Sequence, residues 1–92
     1  MTPAAIPTLP RGVRLHHDRV RRAEVLLGPE TALMLDQIGA VILKEIDGSR
    51  SVARITGDLA ARFGAPEDQV SADVAEFLQD LADKRLVDLT DG

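Results

Sequence analysis

The chain contains no cysteine, tryptophan or tyrosine, and Phe63 and Phe77 are its only aromatic residues. The absence of cysteine excludes disulfide bonds, thiolate metal sites, iron–sulfur clusters and cysteine nucleophiles. The scarcity of aromatic side chains argues against a protein that stacks RNA bases. No apolar run approaches the roughly 18 residues that a membrane-spanning helix needs. We therefore expect a soluble, cytoplasmic protein with no membrane partner.

A length of 92 residues, 45% of them hydrophobic, is typical of one small globular domain. A chain of this size buries about 60–65% of its unfolded surface, which suffices for one core but not for a deep enzyme cleft as well. The first ten residues hold three of the five prolines and no charged side chain. Because proline removes a backbone donor, we expect a disordered tail or linker over residues 1–10 and a single domain over residues 11–92.

The net charge of −4 is unevenly distributed along the chain. Residues 1–28 carry a charge of +3 and residues 29–92 a charge of −7. This asymmetry indicates either a surface for a partner or charge complementarity within the domain. An acidic chain is not what we expect of a nucleic-acid-binding protein. The basic residues of the first part are all arginines: Arg11, Arg14, Arg19, Arg21 and Arg22.

Alternating apolar and polar residues predict three short strands, at about residues 11–17, 22–27 and 31–35, joined as an antiparallel meander. The hydrophobic period then becomes helical. Residues that favour helix starts and ends delimit three predicted helices. The first runs from the N-cap Asp36 to Gly48, the second from the N-cap Ser51 to Gly64, and the third covers residues 66–84 and begins at Pro66. A short extended segment over residues 86–89 follows.

The predicted order β-β-β-α-α-α is that of an α+β fold similar to a winged helix-turn-helix, with a three-stranded antiparallel sheet followed by a three-helix bundle. The apolar helical residues are spaced to form one inward-facing stripe on each helix. We expect these side chains in the core: Ile38, Val41, Ile42, Ile46, Val52, Ile55, Leu59, Phe63, Val70, Val74, Phe77, Leu78 and Leu81.

No combination of residues suggests catalysis, a bound cofactor or a metal site. His16 and His17 are neighbours on a predicted strand and point to opposite faces, so they cannot chelate one ion together. The dispersed glycines form no phosphate-binding loop. We therefore expect a protein that is not an enzyme. Carboxylates along the third helix form an acidic stripe that is either a solvated face or a surface for a basic partner: Asp73, Glu76, Asp80 and Asp83.

The third predicted strand lies at an edge of the sheet and contains no lysine, proline or inward-pointing charge that would block pairing. Its free backbone groups could accept an extended peptide as a fourth strand, with apolar side chains of the peptide placed between this strand and the third helix. In the alternative interpretation, these side chains are ordinary core and residues 86–89 cover the edge. The candidate binding residues are Thr31, Ala32, Leu33, Met34, Leu35, Val70, Val74, Phe77 and Leu81.

The segments VRLHHD, VLLGPE, LMLDQIGAVILKEIDGSRSVARITGDLA and VSADVAEFLQDLADKRLV, in this order and spacing, resemble the PqqD family of pyrroloquinoline quinone (PQQ) biosynthesis. The resemblance implies a peptide chaperone of the kind that recognises ribosomally made precursor peptides. It implies capture of the peptide PqqA and its presentation to PqqE, a radical S-adenosylmethionine (SAM) enzyme that cross-links a glutamate and a tyrosine. It also implies peptide binding along the third strand and third helix, and in some bacteria fusion to PqqC.

Two other classes of function stay open. A winged-helix nucleic-acid-binding module would use the arginine-rich first part of the chain. The acidic third helix argues against this class, because its carboxylates would face the phosphates with repulsion. A structural module that only stabilises a fused or partner enzyme is the other alternative, and it would be folded but have no affinity for a peptide.

Overall fold

The computed structural model describes residues 2–91 and the side chains of residues 2–90. Met1 and Gly92, which fall in the predicted tail and the predicted domain respectively, lie outside the described residues. Five strands and three helices follow one another along the chain: β1 (Ala5–Thr8), β2 (Arg14–Asp18), β3 (Ala23–Leu27), β4 (Ala32–Met34), α1 (Gln37–Lys44), α2 (Val52–Phe63), α3 (Glu67–Asp83) and β5 (Asp88–Asp91).

The three predicted strands are confirmed as β2, β3 and β4, which form an antiparallel sheet with β3 in the middle. Leu15, Leu26 and Leu33 are paired across the sheet and lie on the face that belongs to the hydrophobic core. Because successive side chains of a strand point to opposite faces, the next row of residues lies on the other face. His16 and Met34 belong to this outer row, and both are exposed.

The beginning of the chain is not the disordered segment that its prolines predict. Strand β1 pairs with β5 in a separate two-stranded antiparallel sheet, with Ala5 opposite Asp91 and Thr8 opposite Asp88. The side chains of Ala5 and Pro7 are buried, and the amide of Ala53 at the start of α2 donates to the Pro3 carbonyl at 2.9 Å. Proline is tolerated here because a strand at the edge of a sheet does not need every donor.

The first helix begins as predicted but ends earlier. The Asp36 carboxylate accepts a hydrogen bond from the amide of Gly39 at 2.7 Å, which is the N-cap expected from the sequence. The helix stops at Lys44 rather than near Gly48. Asp47 causes part of this difference, because its carboxylate accepts from the amides of the two residues that follow Gly48 and so stabilises a turn.

The second and third helices agree closely with their predicted limits. The Ser51 hydroxyl accepts from the amide of Arg54 at the start of α2, and Gly64 ends the helix with a φ of 62°. Helix α3 begins directly after Pro66 and has acidic residues in its first turn, where the helix dipole favours negative charge. None of the helices among residues 2–91 has the length and apolar character that crossing a membrane requires.

The core forms where the three helices pack on the inner face of the sheet. Two residues that the periodicity places in the core are exposed instead: Ile38, with 64% of its surface accessible, and Phe63, with 60%. Ile38 lies in the first turn of α1 and Phe63 is the last residue of α2, and both border a cavity rather than another element. The buried apolar side chains of the core cluster are Ala5, Val13, Leu26, Ile42, Leu43, Val52, Ile55, Leu59, Val74, Leu78, Leu81, Leu86 and Val87.

Candidate functional site

Strand β4 lies at an edge of its sheet. It pairs with β3 on one side, and no other strand among residues 2–91 pairs with its second side. The alternative prediction that residues 86–89 cover this edge is wrong, because the end of the chain forms β5 and pairs with β1. Leu86 and Val87, which precede β5, are buried in the core. The backbone of β4 is therefore available to an extended segment from another chain.

The hydrogen-bonding register identifies which backbone groups of β4 point outward. The amide of Gly28 donates to the Thr31 carbonyl at 2.8 Å, and the amide of Leu35 donates to the Glu24 carbonyl at 3.0 Å. In an antiparallel pair, hydrogen-bonded and non-hydrogen-bonded residue pairs alternate. Residue 33 therefore bonds toward β3, whereas the peptide groups of Ala32 and Met34 face away from the sheet.

The side chains of β4 divide between the two faces of the sheet. Leu33 is half-buried and packs against the core, whereas Ala32 and Met34 are exposed on the outer face. The guanidinium of Arg21, from the turn between β2 and β3, lies 3.7 Å from the Met34 sulfur. A peptide added to β4 would therefore meet an apolar surface on one face and Met34 with Arg21 on the other.

The predicted binding residues of α3 differ in their accessibility. Val74 and Leu81 are buried, with 1% and 0% of their surfaces exposed, whereas Val70 and Phe77 are half-buried. Val70 and Val74 line a cavity of about 230 Å³, and Phe77 lines a second cavity of about 430 Å³. Leu81 lines neither cavity and belongs to the core cluster.

Helix α1 contributes to the same region, which the sequence interpretation missed. Ile38 lines both cavities, and Asp36, which follows β4 by two residues, lines the larger one. The end of β4 therefore opens toward the space between α1 and α3. The only available signal in the sequence was that Ile38 lies in the first turn of a short helix, where few neighbours can cover it.

The arginine-rich part of the chain forms the exposed hairpin of β2 and β3. His17 and Glu24 are cross-strand partners, with the His17 Nδ1 atom 3.0 Å from the Glu24 carboxylate, and the Lys44 ammonium lies 3.5 Å from the same oxygen. The hydrogen bond with His17, assisted by Lys44, holds the pKa of Glu24 below its ordinary value of 4.5. This group of charges links the hairpin to α1. Within the described part of the chain, no group of three or more His, Cys, Asp or Glu side chains could hold a metal ion.

Comparison with known proteins identifies the family. The family model for coenzyme PQQ synthesis protein D (PqqD) matches residues 24–87. The chain belongs to the PqqD family. It is 41% identical over 86 residues to a PqqA binding protein of Rhizobium meliloti, covering 94% of this chain and 88% of that protein. Relatives such as this one are named as binding proteins rather than as enzymes, and the chain is a non-catalytic binding protein of PQQ biosynthesis.

Solved structures confirm the fold. The NMR structure of the PqqD truncation of Methylobacterium extorquens PqqCD, described as a functional, stand-alone recognition element for ribosomally synthesised and modified peptides, superimposes with a TM-score of 0.77. The two chains are 39% identical, and the match covers 96% of this chain and 99% of the other. TbiB1 in complex with the TbiA(beta) leader peptide, 24% identical, has the same fold with a TM-score of 0.74, and the match covers 88% of this chain and 94% of that one. The predicted winged-helix-like α+β class is therefore confirmed.

Proposed function

We propose that this PqqD-family chain is an adaptor that binds the precursor peptide PqqA as an additional strand on β4 and presents it to the radical SAM enzyme PqqE. The observation that carries the proposal is the free edge of β4, where the peptide groups of residues 32 and 34 point away from the sheet. The name of the Rhizobium meliloti relative, PqqA binding protein, supports the choice of peptide.

The free edge offers enough interaction for a reversible complex. Two outward-facing residues provide up to four backbone hydrogen bonds, each worth about 0.5–1.5 kcal/mol net. One or two apolar anchors in the cavities beside α3 add about 1.5–3 kcal/mol each. The gross sum is about 3.5–12 kcal/mol, and the cost of ordering a flexible peptide is subtracted from it, so we expect a weak and reversible complex rather than a tight one.

The residues of the proposed site have different roles. Residues 31–35 provide the pairing edge, and the half-buried Val70 and Phe77 are available for direct contact with apolar side chains of the peptide. The buried Val74 and Leu81 hold α3 in place behind them. We include β1 in the peptide-binding domain, because its pairing with β5 fixes the segment that follows α3.

Titration of the ¹⁵N-labelled chain with synthetic PqqA tests the proposal. We expect the largest amide shifts in residues 31–35 and along α3, and slower hydrogen exchange at Ala32 and Met34, whose amides become hydrogen-bonded. A peptide with the composition of PqqA but a scrambled order serves as the control. Shifts confined to the arginine-rich hairpin, or identical shifts with the scrambled peptide, would contradict strand addition at β4.

Presentation to PqqE requires that the enzyme and the peptide bind at the same time. The labelled chain is therefore titrated with PqqE alone, and then with PqqE after saturation with PqqA. We expect PqqE to shift a second set of amides while the protection of β4 persists. If PqqE displaces PqqA from β4, the chain is not an adaptor that presents the peptide.

A further inference from the structure

The two cavities beside α3 adjoin each other, and together we call them the α1/α3 groove. The cavity of about 230 Å³ and the cavity of about 430 Å³ share three lining residues: Ile38, Ile42 and Asp73. The groove runs from Phe63 and Val70 at one end to Asp80 at the other. It adds to the surface that β4 alone offers a peptide.

The floor of the α1/α3 groove is apolar and accessible. Ile38 and Phe63, the two large side chains that the periodicity places in the core, are exposed there, and Val70 and Phe77 are half-buried. Contiguous exposed apolar surface of this kind on a small domain is typical of an interaction site.

The rim of the same groove is acidic. Asp36, Asp73, Glu76 and Asp80 line it, and no basic side chain among residues 2–90 lines either cavity, although the Arg62 guanidinium lies 5.8 Å from the centre of the Phe63 ring at one end. Asp80 is paired with Lys84 at 3.0 Å, but neither Asp73 nor Glu76 has an ion-pair partner in the described part of the chain. Such a rim favours a ligand segment with positive charge.

The groove continues from the proposed strand-pairing edge. No residue of β4 lines either cavity, but Asp36, two residues beyond β4, lines the larger one, so a peptide paired with β4 that extends past Leu35 comes next to the groove. From Val70 to Asp80, ten helical steps of 1.5 Å cover about 15 Å, which about five extended residues span. Pairing and groove together therefore accommodate a peptide of about eight to ten residues.

We propose that the α1/α3 groove binds the part of the peptide that extends beyond β4, and that this part carries a lysine or arginine beside an aliphatic or aromatic anchor. The proposal rests on the proposed function. The basic side chain faces Asp73 and Glu76, and the anchor occupies the floor between Ile38 and Phe63. The groove thereby selects a peptide by charge, which backbone pairing at β4 cannot do.

Two double variants of the full chain test this inference. Asp73→Asn with Glu76→Gln removes the unpaired charges of the groove, whereas Asp83→Asn with Asp88→Asn makes the same change of net charge at exposed positions outside it. Binding of synthetic PqqA is measured by calorimetry at low and high salt. We expect the groove variant to bind about fivefold more weakly at low salt, from two exposed charge pairs of about 0.5 kcal/mol each. The difference should narrow at high salt, and the control should bind as the wild type does.

The outcomes separate this inference from the proposed function. If PqqA binds the wild type with protection of β4 but binds both double variants equally well, the charge selection is wrong and strand addition stands. If PqqA does not bind the wild type, the proposed function fails as well.

A groove occupied by a second copy of the chain would also overturn the inference, and sedimentation equilibrium without peptide would show it. In a second copy, the segment that fits the groove is the turn around Val20, because this apolar side chain is 94% exposed and lies between the positively charged Arg19 and Arg21.

Discussion

The ring of Phe77 in α3 lies directly against Gly39 in α1. A Cβ atom on residue 39 would lie 2.9 Å from the Cε1 atom of Phe77, closer than real Cβ atoms come, and 3.1 Å from both the Phe77 Cζ atom and the N-cap oxygen of Asp36. Gly39 is buried in the first half of the helix, where glycine costs about 1 kcal/mol relative to alanine. The close approach explains why glycine stands at position 39 despite its cost, and it holds the Phe77 ring in its position along the α1/α3 groove.

Gly39→Ala should therefore lower stability although alanine is the better helix former. The collision with Phe77 costs about 1–3 kcal/mol, and the gain in helix propensity offsets about 1 kcal/mol of this. We expect a net loss of about 1 kcal/mol in the free energy of unfolding by urea. Gly57→Ala is the matched control, since a methyl group at residue 57 would have no neighbouring atom within 4 Å. This variant should gain about 0.5–1 kcal/mol, and equal effects at both glycines would contradict the packing explanation.

Much of the fold follows from local signals in the sequence. The three strands of the main sheet were predictable from the period-two alternation of apolar and polar residues. The limits of α2 and α3 were also predictable, because cap residues such as Ser51 and Gly64 determine helix ends through contacts with residues close to them in sequence. The strand β1 was not predictable in this way. Its partner β5 lies 80 to 86 residues away, pair by pair, and a proline-rich segment has no hydrophobic period that indicates such a pairing.

The candidate site was predictable only in part. An edge strand without blocking residues can be recognised from residues 31–35, and the apolar stripe of α3 from its helical period. Which members of a stripe are covered depends on how far the neighbouring elements extend. Leu81 lies within the core, whereas Ile38 and Phe63 lie at helix ends that nothing covers. Helical periodicity cannot distinguish these cases.

Ala32→Pro should weaken peptide binding and leave the domain folded. Ala32 is exposed, begins the edge strand and directs its N–H away from β3, which is where a strand tolerates proline. We expect the loss of an outward hydrogen bond to weaken PqqA binding about tenfold, from about 1–1.5 kcal/mol, as measured by calorimetry. Circular dichroism should show an unchanged fold. Leu33→Pro is the contrasting variant, because it removes a donor that points toward β3 and should destabilise the sheet itself.

Phe63→Ala should have only a small effect on stability. Since 60% of the Phe63 surface is exposed, its removal should cost about 1 kcal/mol or less. Leu59, one helical turn earlier, is buried at 3% exposure, and Leu59→Ala should cost about 2–5 kcal/mol. Urea unfolding of the two variants compares them directly. A similar large loss for both would mean that Phe63 belongs to the core in solution.

The pairing of β1 with β5 can be tested with two neighbouring alanines. Ala5 is 1% exposed at the start of β1, whereas Ala4 is exposed. A carboxylate at residue 5 would be buried without a partner, so Ala5→Asp should lower the free energy of unfolding by about 2–3 kcal/mol. Ala4→Asp should change it by less than about 0.5 kcal/mol. Equal, small effects would indicate that the first residues form the tail that their prolines predict.

Asp47 should make the stability of the chain depend on pH below about 4. Its carboxylate accepts from the amides of Arg50 and Ser49 and contacts the Arg50 guanidinium, which lowers its pKa from 3.8 to about 2. Because the folded state holds the ionised form more strongly than the unfolded state does, the stabilisation is complete above the unfolded pKa and is lost as the pH falls from 3.8 toward 2.

Asp47→Asn keeps an oxygen acceptor for the turn but cannot ionise, so it isolates the contribution of the charge. We expect the variant to be less stable than the wild type at neutral pH, and the two to converge as the pH approaches 2, as measured by urea unfolding across this range. Asp83→Asn, at an exposed carboxylate of α3, controls for the change in net charge. A neutral aspartic acid and an asparagine present the same oxygen acceptor to the two amides, so a difference between wild type and Asp47→Asn that stays constant from neutral pH to pH 2 would show that the charge of Asp47 does not cause it.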